Sequence, residues 1–166
     1  MRRSQLRLVP ALVPAPLWGK SVHNALTRKN WRSLRQTVLE AAANTCRYCE
    51  AQYDSGMICH EVWAYNDEDY TATLIEFVMV CRDCNAVLHV GKSLLIGDRK
   101  GSAGMLDRGE QAVQHLRNVN AITDQEAREL IKDAFKTYSE RSRRAWDIHI
   151  AAHIIEKHPL LAGLEL

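Results

Sequence analysis

A chain of 166 residues with net charge +2, 46% hydrophobic and 25% charged residues has the proportions of an ordinary globular protein. That length allows one domain with a real core, or a small core with helical extensions. No apolar run reaches the ~18 residues that a membrane span needs, and the total charge does not by itself announce a nucleic-acid binder.

The distribution of charge is more telling than its sum. Residues 1–39 carry eight Lys or Arg and no acid, while residues 48–81 carry seven acids and no Lys or Arg. A basic arm beside an acidic hairpin can hold phosphates on one side and a divalent cation on the other, although a solvated basic tail accounts for the charges equally well. Residues 1–20 are Pro-rich and basic, an extended arm laid across the domain surface. Met1-Arg2-Arg3 and the apolar stretch after it imitate a signal peptide, but Pro10, Pro14 and Pro16 interrupt the run. A soluble, cytoplasmic protein without a membrane partner is expected.

From Asn30, a plausible N-cap, Trp31, Leu34, Val38, Leu39 and Ala42 fall at helical spacing, so residues 30–43 read as an amphipathic helix. It runs into Cys46-Arg-Tyr-Cys49. Residues 57–65 and 72–80 are apolar, β-branched and aromatic, with turn-forming Asn66-Asp67-Glu68-Asp69 between them, which is a β-hairpin signal. Cys81-Arg-Asp-Cys84 closes the second strand, and Cys84 to Val90 starts a short helix stopped by Gly91. Residues 91–108, with four glycines, read as a loop. Glu110 to Val119 is helical, Thr123-Asp124-Gln125-Glu126 is a capping box opening a longer helix, and Trp146 to Ile155 also reads as helix. Trp63 and Tyr65 alternate along their strand and belong in the hairpin core. The organisation expected is an arm over 1–29, a finger domain with its leading helix over 30–92, and a loop with a C-terminal helical region packing on it over 93–166.

Two Cys-x2-Cys pairs supply the four ligands of a closed, tetrahedral, structural zinc site. The fifth cysteine, Cys59, is left as a buried free thiol, a usage that suits a reducing compartment. Between the pairs lies His60-Glu61-Val62-Trp63, and after them come Asn85 and His89, four apart and therefore on one helix face. A ββα unit of this order can bring a strand histidine and helix side chains to one divalent metal. The matching chemistry is phosphodiester hydrolysis, with a neutral imidazole taking a proton from water and a cation neutralising the phosphorane. His23, His115, His149, His153 and His158 have no ligand partner at motif spacing, and His149 with His153, four apart on an expected helix, is a weak metal signal. Arg141, Arg143 and Arg144 can meet phosphate or form a solvated face.

At these residues the chain resembles the HNH endonucleases that carry a zinc-stapled ββα-metal finger. The match rests on Cys46-x2-Cys49, on His60-Glu61-Val62-Trp63-Ala64-Tyr65-Asn66-Asp67, and on Cys81-Arg-Asp-Cys84-Asn85-Ala-Val-Leu-His89-Val-Gly91. The resemblance implies an α+β fold, with a small ββα-metal finger embedded in flanking helices, and a metal-dependent endonuclease acting on DNA, most naturally the double-stranded form. It implies Cys46, Cys49, Cys81 and Cys84 as structural Zn²⁺ ligands. It implies a catalytic set of His60, Glu61, Asn85 and His89, with Asn85, His89 and His60 available to hold Mg²⁺ or another divalent cation. Asn85 stands where the family usually has histidine, and its carbonyl oxygen suits hard Mg²⁺. The family's middle Asn, which orients the base, has no counterpart; Glu76 falls near that position and Asn66 lies in the hairpin turn.

The register of the first motif is open. With His60 as base, Cys59 takes the ligand position; with His60 as ligand, Glu61 takes the base position. Imidazole chemistry near neutral pH favours the first. The alternative to a nuclease is a catalytically inactive zinc module of the same fold that binds DNA or a protein; a zinc ribbon with a purely structural role is a third reading. Substrate specificity and oligomeric state are not encoded in these motifs.

Overall fold

A computed structural model describes residues 6–91 and 108–166. It is a mixed α+β structure with the elements α1 (Val22–Ala25), α2 (Arg28–Ala42), β1 (Ile58–Asn66), β2 (Thr71–Val80), α3 (Arg82–Leu88), α4 (Arg108–Asn120), α5 (Asp124–Arg141), β3 (Asp147–Ile150) and α6 (Ala152–Lys157), with short 3₁₀ turns at Ala15–Leu17 and Pro159–Leu161. Among the described residues no helix is long and apolar enough to cross a membrane. The loop expected over 91–108 falls almost wholly outside the described residues.

The hairpin forms where its residues require it. β1 and β2 pair antiparallel from Ile58↔Val80 to Asn66↔Thr71, with one register break between Val62 and Trp63. Their turn is made by short polar side chains: Asn66 Oδ1 accepts the Glu68 N–H at 3.0 Å, and Asp69 Oδ1 accepts the Thr71 N–H at 3.1 Å. β2 is the central strand, and its Ala72, Leu74 and Phe77 to Val80 are buried. α2 starts two residues earlier than expected, because Thr27 rather than Asn30 is the N-cap and accepts the Asn30 N–H at 3.2 Å. It lays Leu34 and Val38 into the core and ends on Ala43 and Asn44, both with positive φ, which turn the chain into the first cysteine pair. The capping box at Thr123 and Glu126 forms as expected.

Three expectations need correction. The segment 146–155 is not one helix: Asp147–Ile150 is a third strand, parallel to β2 over Thr71–Leu74, and only Ala152–Lys157 is helical. His149 and His153 therefore do not share a helix face, and His153 Nε2 lies 2.9 Å from the Ile75 carbonyl oxygen. The short helix after β2 begins at Arg82, not Cys84, with Cys81 as its N-cap, and it ends at His89 before Gly91 is reached. The N-terminal arm does more than cross the surface. Leu8 is 0% exposed. Asn120, at the end of α4, accepts the Arg7 and Leu8 N–H groups at 2.9 and 3.1 Å and donates to the Leu8 carbonyl at 2.7 Å. One hydrophobic cluster joins Leu8, Leu34, Leu74, the buried cysteines Cys46, Cys81 and Cys84, Val87, Leu116, Ala127 and Leu161. The arm, hairpin, cysteine pairs and C-terminal helices thus share a core. A smaller cluster of Leu17, Ala72 and Trp146 takes in Trp63 and Tyr65.

Candidate metal centre and adjoining cleft

Local hydrogen bonding shapes both cysteine pairs. In the first, the Glu50 N–H returns to the Cys46 carbonyl at 3.0 Å, and the Arg47 N–H donates to the Met79 carbonyl at 2.9 Å, fixing the turn to β2. In the second, Cys81 caps α3, and its sulfur accepts the Cys84 N–H at 3.3 Å. The Cys81 N–H in turn donates to the Cys46 sulfur at 3.3 Å. The four Sγ atoms lie within 4.8 Å of one another, and Cys49 and Cys81 are 3.8 Å apart. With metal–sulfur bonds of about 2.3 Å, a tetrahedral ion separates its sulfurs by about 3.8 Å. The cluster fits a structural metal ion such as zinc.

Charge points the same way. A hydrogen bond from the Cys84 thiol, helped by the peptide N–H groups of Cys49, Cys81 and Tyr48, holds the Cys46 thiol well below the ordinary range. Cys84 is pushed up by sharing that hydrogen bond with Cys46, and Cys49 is pushed up by burial. Four thiolates at such separations need a cation to offset their mutual repulsion. A fifth side chain reaches the cluster from α4: His115 Nε2 lies 3.1 Å from Cys84 Sγ.

Beside the cluster runs a cleft of ≈ 1430 Å³, lined among others by His60, Glu61, Asn85 and His89. The fold therefore brings the four expected catalytic residues to one cavity. His60, on β1 opposite Val78, faces His89 with ring centroids 5.2 Å apart at 66°. His89 ends α3, and its N–H bonds the Asn85 carbonyl at 3.0 Å, which sets the two residues one turn apart. Burial, with the nearby charge of His89 as a second cause, lowers the His60 pKa to about 4, so the ring is neutral at neutral pH. Among the described residues no hydrogen bond reaches that ring.

The neighbours of His60 are engaged differently. Glu61 Oε1 accepts the His23 N–H at 3.0 Å, whereas Oε2 is buried without a hydrogen-bond partner among the described residues, and burial raises the carboxyl above its usual range. Burial pushes the Cys59 thiol up to about 12, so it is uncharged at neutral pH. Glu76 pairs with Arg47 at 3.8 Å, and Asn66 is occupied in the hairpin turn.

The basic N-terminal stretch accounts for only part of the positive charge on the cleft. Lys20, Arg35, Arg82 and Arg108 line it, while Arg141, Arg143 and Arg144 do not. Arg141 is held bidentately by Asp67 at 2.7 Å on both arms and lies over the Tyr65 ring at 4.5 Å; Arg144 lies over Tyr70 at 5.2 Å. The basic N-terminal stretch contained a signal for Lys20 and Arg35, but nothing in their spacing points at the hairpin.

Fold and site together define an α+β protein with a four-cysteine cluster able to hold a metal ion beside a histidine-lined cleft. No family model, no curated protein and no solved structure matches the chain.

Proposed function

We propose that the protein is an HNH-type metal-dependent endonuclease cutting phosphodiester bonds of DNA, with zinc in its cysteine cluster. The observation that carries this reading is the meeting of His60 and His89, 5.2 Å apart, in a cleft that Asn85 also lines. Lys20, Arg35, Arg82 and Arg108 on the same cleft suit a phosphate backbone, which they would position without reading sequence. DNA that follows these cations would enter the cleft and bring one phosphate to the two rings.

His60 is the general base in this reading. Its ring is neutral at neutral pH, so it can accept a proton from the attacking water as the new P–O bond forms. The bond to the 3′ oxygen breaks, leaving a 5′ phosphate, and the 3′ oxygen is protonated from solvent. Asn85 through its carbonyl oxygen and His89 through an imidazole nitrogen are the residues that would hold Mg²⁺ or a similar ion. Such an ion supplies charge neutralisation at the phosphorane and the leaving oxygen. Glu61, turned to the His23 N–H, serves as an anchor for the arm. The Cys59 thiol, neutral at this pH, is no ligand for a hard cation.

The test is plasmid nicking by the zinc-loaded chain with added Mg²⁺, Mn²⁺ or Ni²⁺, beside His60→Ala. Metal-stimulated nicking that falls by at least ~100-fold in the variant, with zinc content and fold retained, is the expected result. One observation favours the inactive DNA-binding module instead: no hydrogen bond from the described residues orients the His60 ring, and Glu76 is turned to Arg47. That module would retain DNA, show no metal-stimulated nicking, and tolerate His60→Ala.

A further inference from the structure

We infer that His115 belongs to the metal centre as an outer-sphere donor, its Nε2–H hydrogen-bonding the Cys84 sulfur and tying α4 to the bound ion. This rests on reading the cluster as a zinc site. The separation of 3.1 Å is hydrogen-bond contact. Among the described residues, the donors that all lie within 4.8 Å of one another are the four cysteines, and His115 is outside that set. The four sulfurs already complete a tetrahedral site, which leaves His115 as an outer-sphere neighbour. A metal-bound thiolate carries no proton and can only accept, so the imidazole must be the donor and its Nε2 must carry the hydrogen.

The contact has a mechanical role as well as an electronic one. The other contacts of the Cys84 side chain are with cysteines of the cluster, whereas His115 comes from a helix 31 residues further along the chain. Arg108, Gln111 and Ala112 of α4 line the cleft, and His115 lies three and four positions beyond the last two, on the same helical face. Asn85, beside Cys84 on α3, lines the same cavity. His115 thus ties α4 to α3, two helices that both contribute to the cleft. Hydrogen bonds to a ligand sulfur fix its orientation and draw off electron density, and loss of such a partner typically costs about 10–100-fold in metal retention.

The experiment uses the full chain loaded with Zn²⁺ or Co²⁺, comparing wild type with His115→Ala and His115→Gln. Expected for His115→Ala are about 10–100-fold weaker zinc retention against a competing chelator and a shift of the thiolate-to-cobalt charge-transfer band to lower energy. His115→Gln, which keeps an N–H at similar reach, should recover much of both. Nitrogen-15 shifts of the zinc-loaded wild type should report a protonated Nε2 at His115, a readout that needs no variant and decides the matter if the alanine chain does not fold. An Nδ1–H tautomer, or unchanged retention and an unchanged band in His115→Ala, would overturn the inference while leaving the zinc reading intact. Equal losses in the alanine and glutamine variants would also overturn it, by reducing His115 to a packing residue. A wild-type chain that takes up neither metal overturns both readings.

Discussion

His60 is a titratable ring that the fold keeps uncharged, and this has a measurable consequence. Its pKa is lowered to about 4 in the folded chain, against about 6.5 for an exposed histidine. Between those values the unfolded chain binds a proton that the folded chain does not, so stability rises with pH across the window and levels above it. Acidification from pH 7 to pH 5 should therefore destabilise the wild type more than His60→Gln, by about 1–2 kcal/mol for this one ring. Urea unfolding of both chains at the two pH values, zinc-loaded and without added divalent ion, checks the difference. Equal losses would mean that the ring charges freely in the folded state. Sequence reasoning named the four cysteines from a repeated spacing, and His60, Asn85 and His89 from their residue types within one hairpin-and-helix unit; the fold gathers the cysteines into one cluster and sets the other three on one cleft. Those it missed meet partners far along the chain: Asn120 clamps Leu8 across 112 positions, and His115 reaches Cys84 across 31. Their own stripe held a hint, because His115 stands between the buried Ala112 and Leu116 of α4, but a stripe names a buried face and not what covers it.

At the scale of elements, the hairpin and the longer helices were legible because each is specified by its own residues. The α5 start is the clearest case. Thr123 Oγ1 accepts the Glu126 N–H at 3.2 Å, and the Glu126 carboxylate accepts the Thr123 N–H at 2.9 Å. Replacing Thr123 by Ala removes one half of this exchange and should cost about 1 kcal/mol, a fall in Tm of about 2–4 °C for a chain of this size. Thermal melts with parallel zinc assays are the check, and the metal content should not change. A variant that lost metal as well would mean that α5 supports the centre directly. By contrast β3 is specified by a distant neighbour. It has four residues, and its partner is the far edge of β2, more than sixty positions back along the chain. Asp147-Ile148-His149-Ile150 is too short for an alternating pattern to outweigh the helical spacing of the residues after it. Burial decides the matter in the fold: Trp146, 8% exposed, packs edge-on against Tyr65 at 5.4 Å and Tyr70 at 5.8 Å, which holds the segment extended beside β2.

For the whole molecule the main consequence is that the cysteine cluster is part of the core and not an appendage to it. Cys46 and Cys84 are 0% exposed and belong to the cluster that contains Leu8 from the arm, Leu34 from α2, Leu116 from α4 and Leu161 near the C-terminus. If the centre holds zinc, its binding free energy is folding free energy for everything packed on those sulfurs. Removing the ion would leave four close thiols with repulsion between any that ionise, and would release the constraint between the start of α3 and the turn after α2. The expected outcome of chelation is therefore one cooperative loss of structure, in which helical circular dichroism and Trp146 fluorescence fall together. Cys81→Ser should reproduce it, because Cys81 both caps α3 and lies 3.8 Å from Cys49. Chelator titrations followed by both signals, with refolding on re-addition of zinc, make the measurement. If the helical signal of α4 and α5 outlived the fluorescence change, the C-terminal region would be folding without the centre. The shared core would then be a contact between two independently stable parts, and the His115 link would join separate folding units.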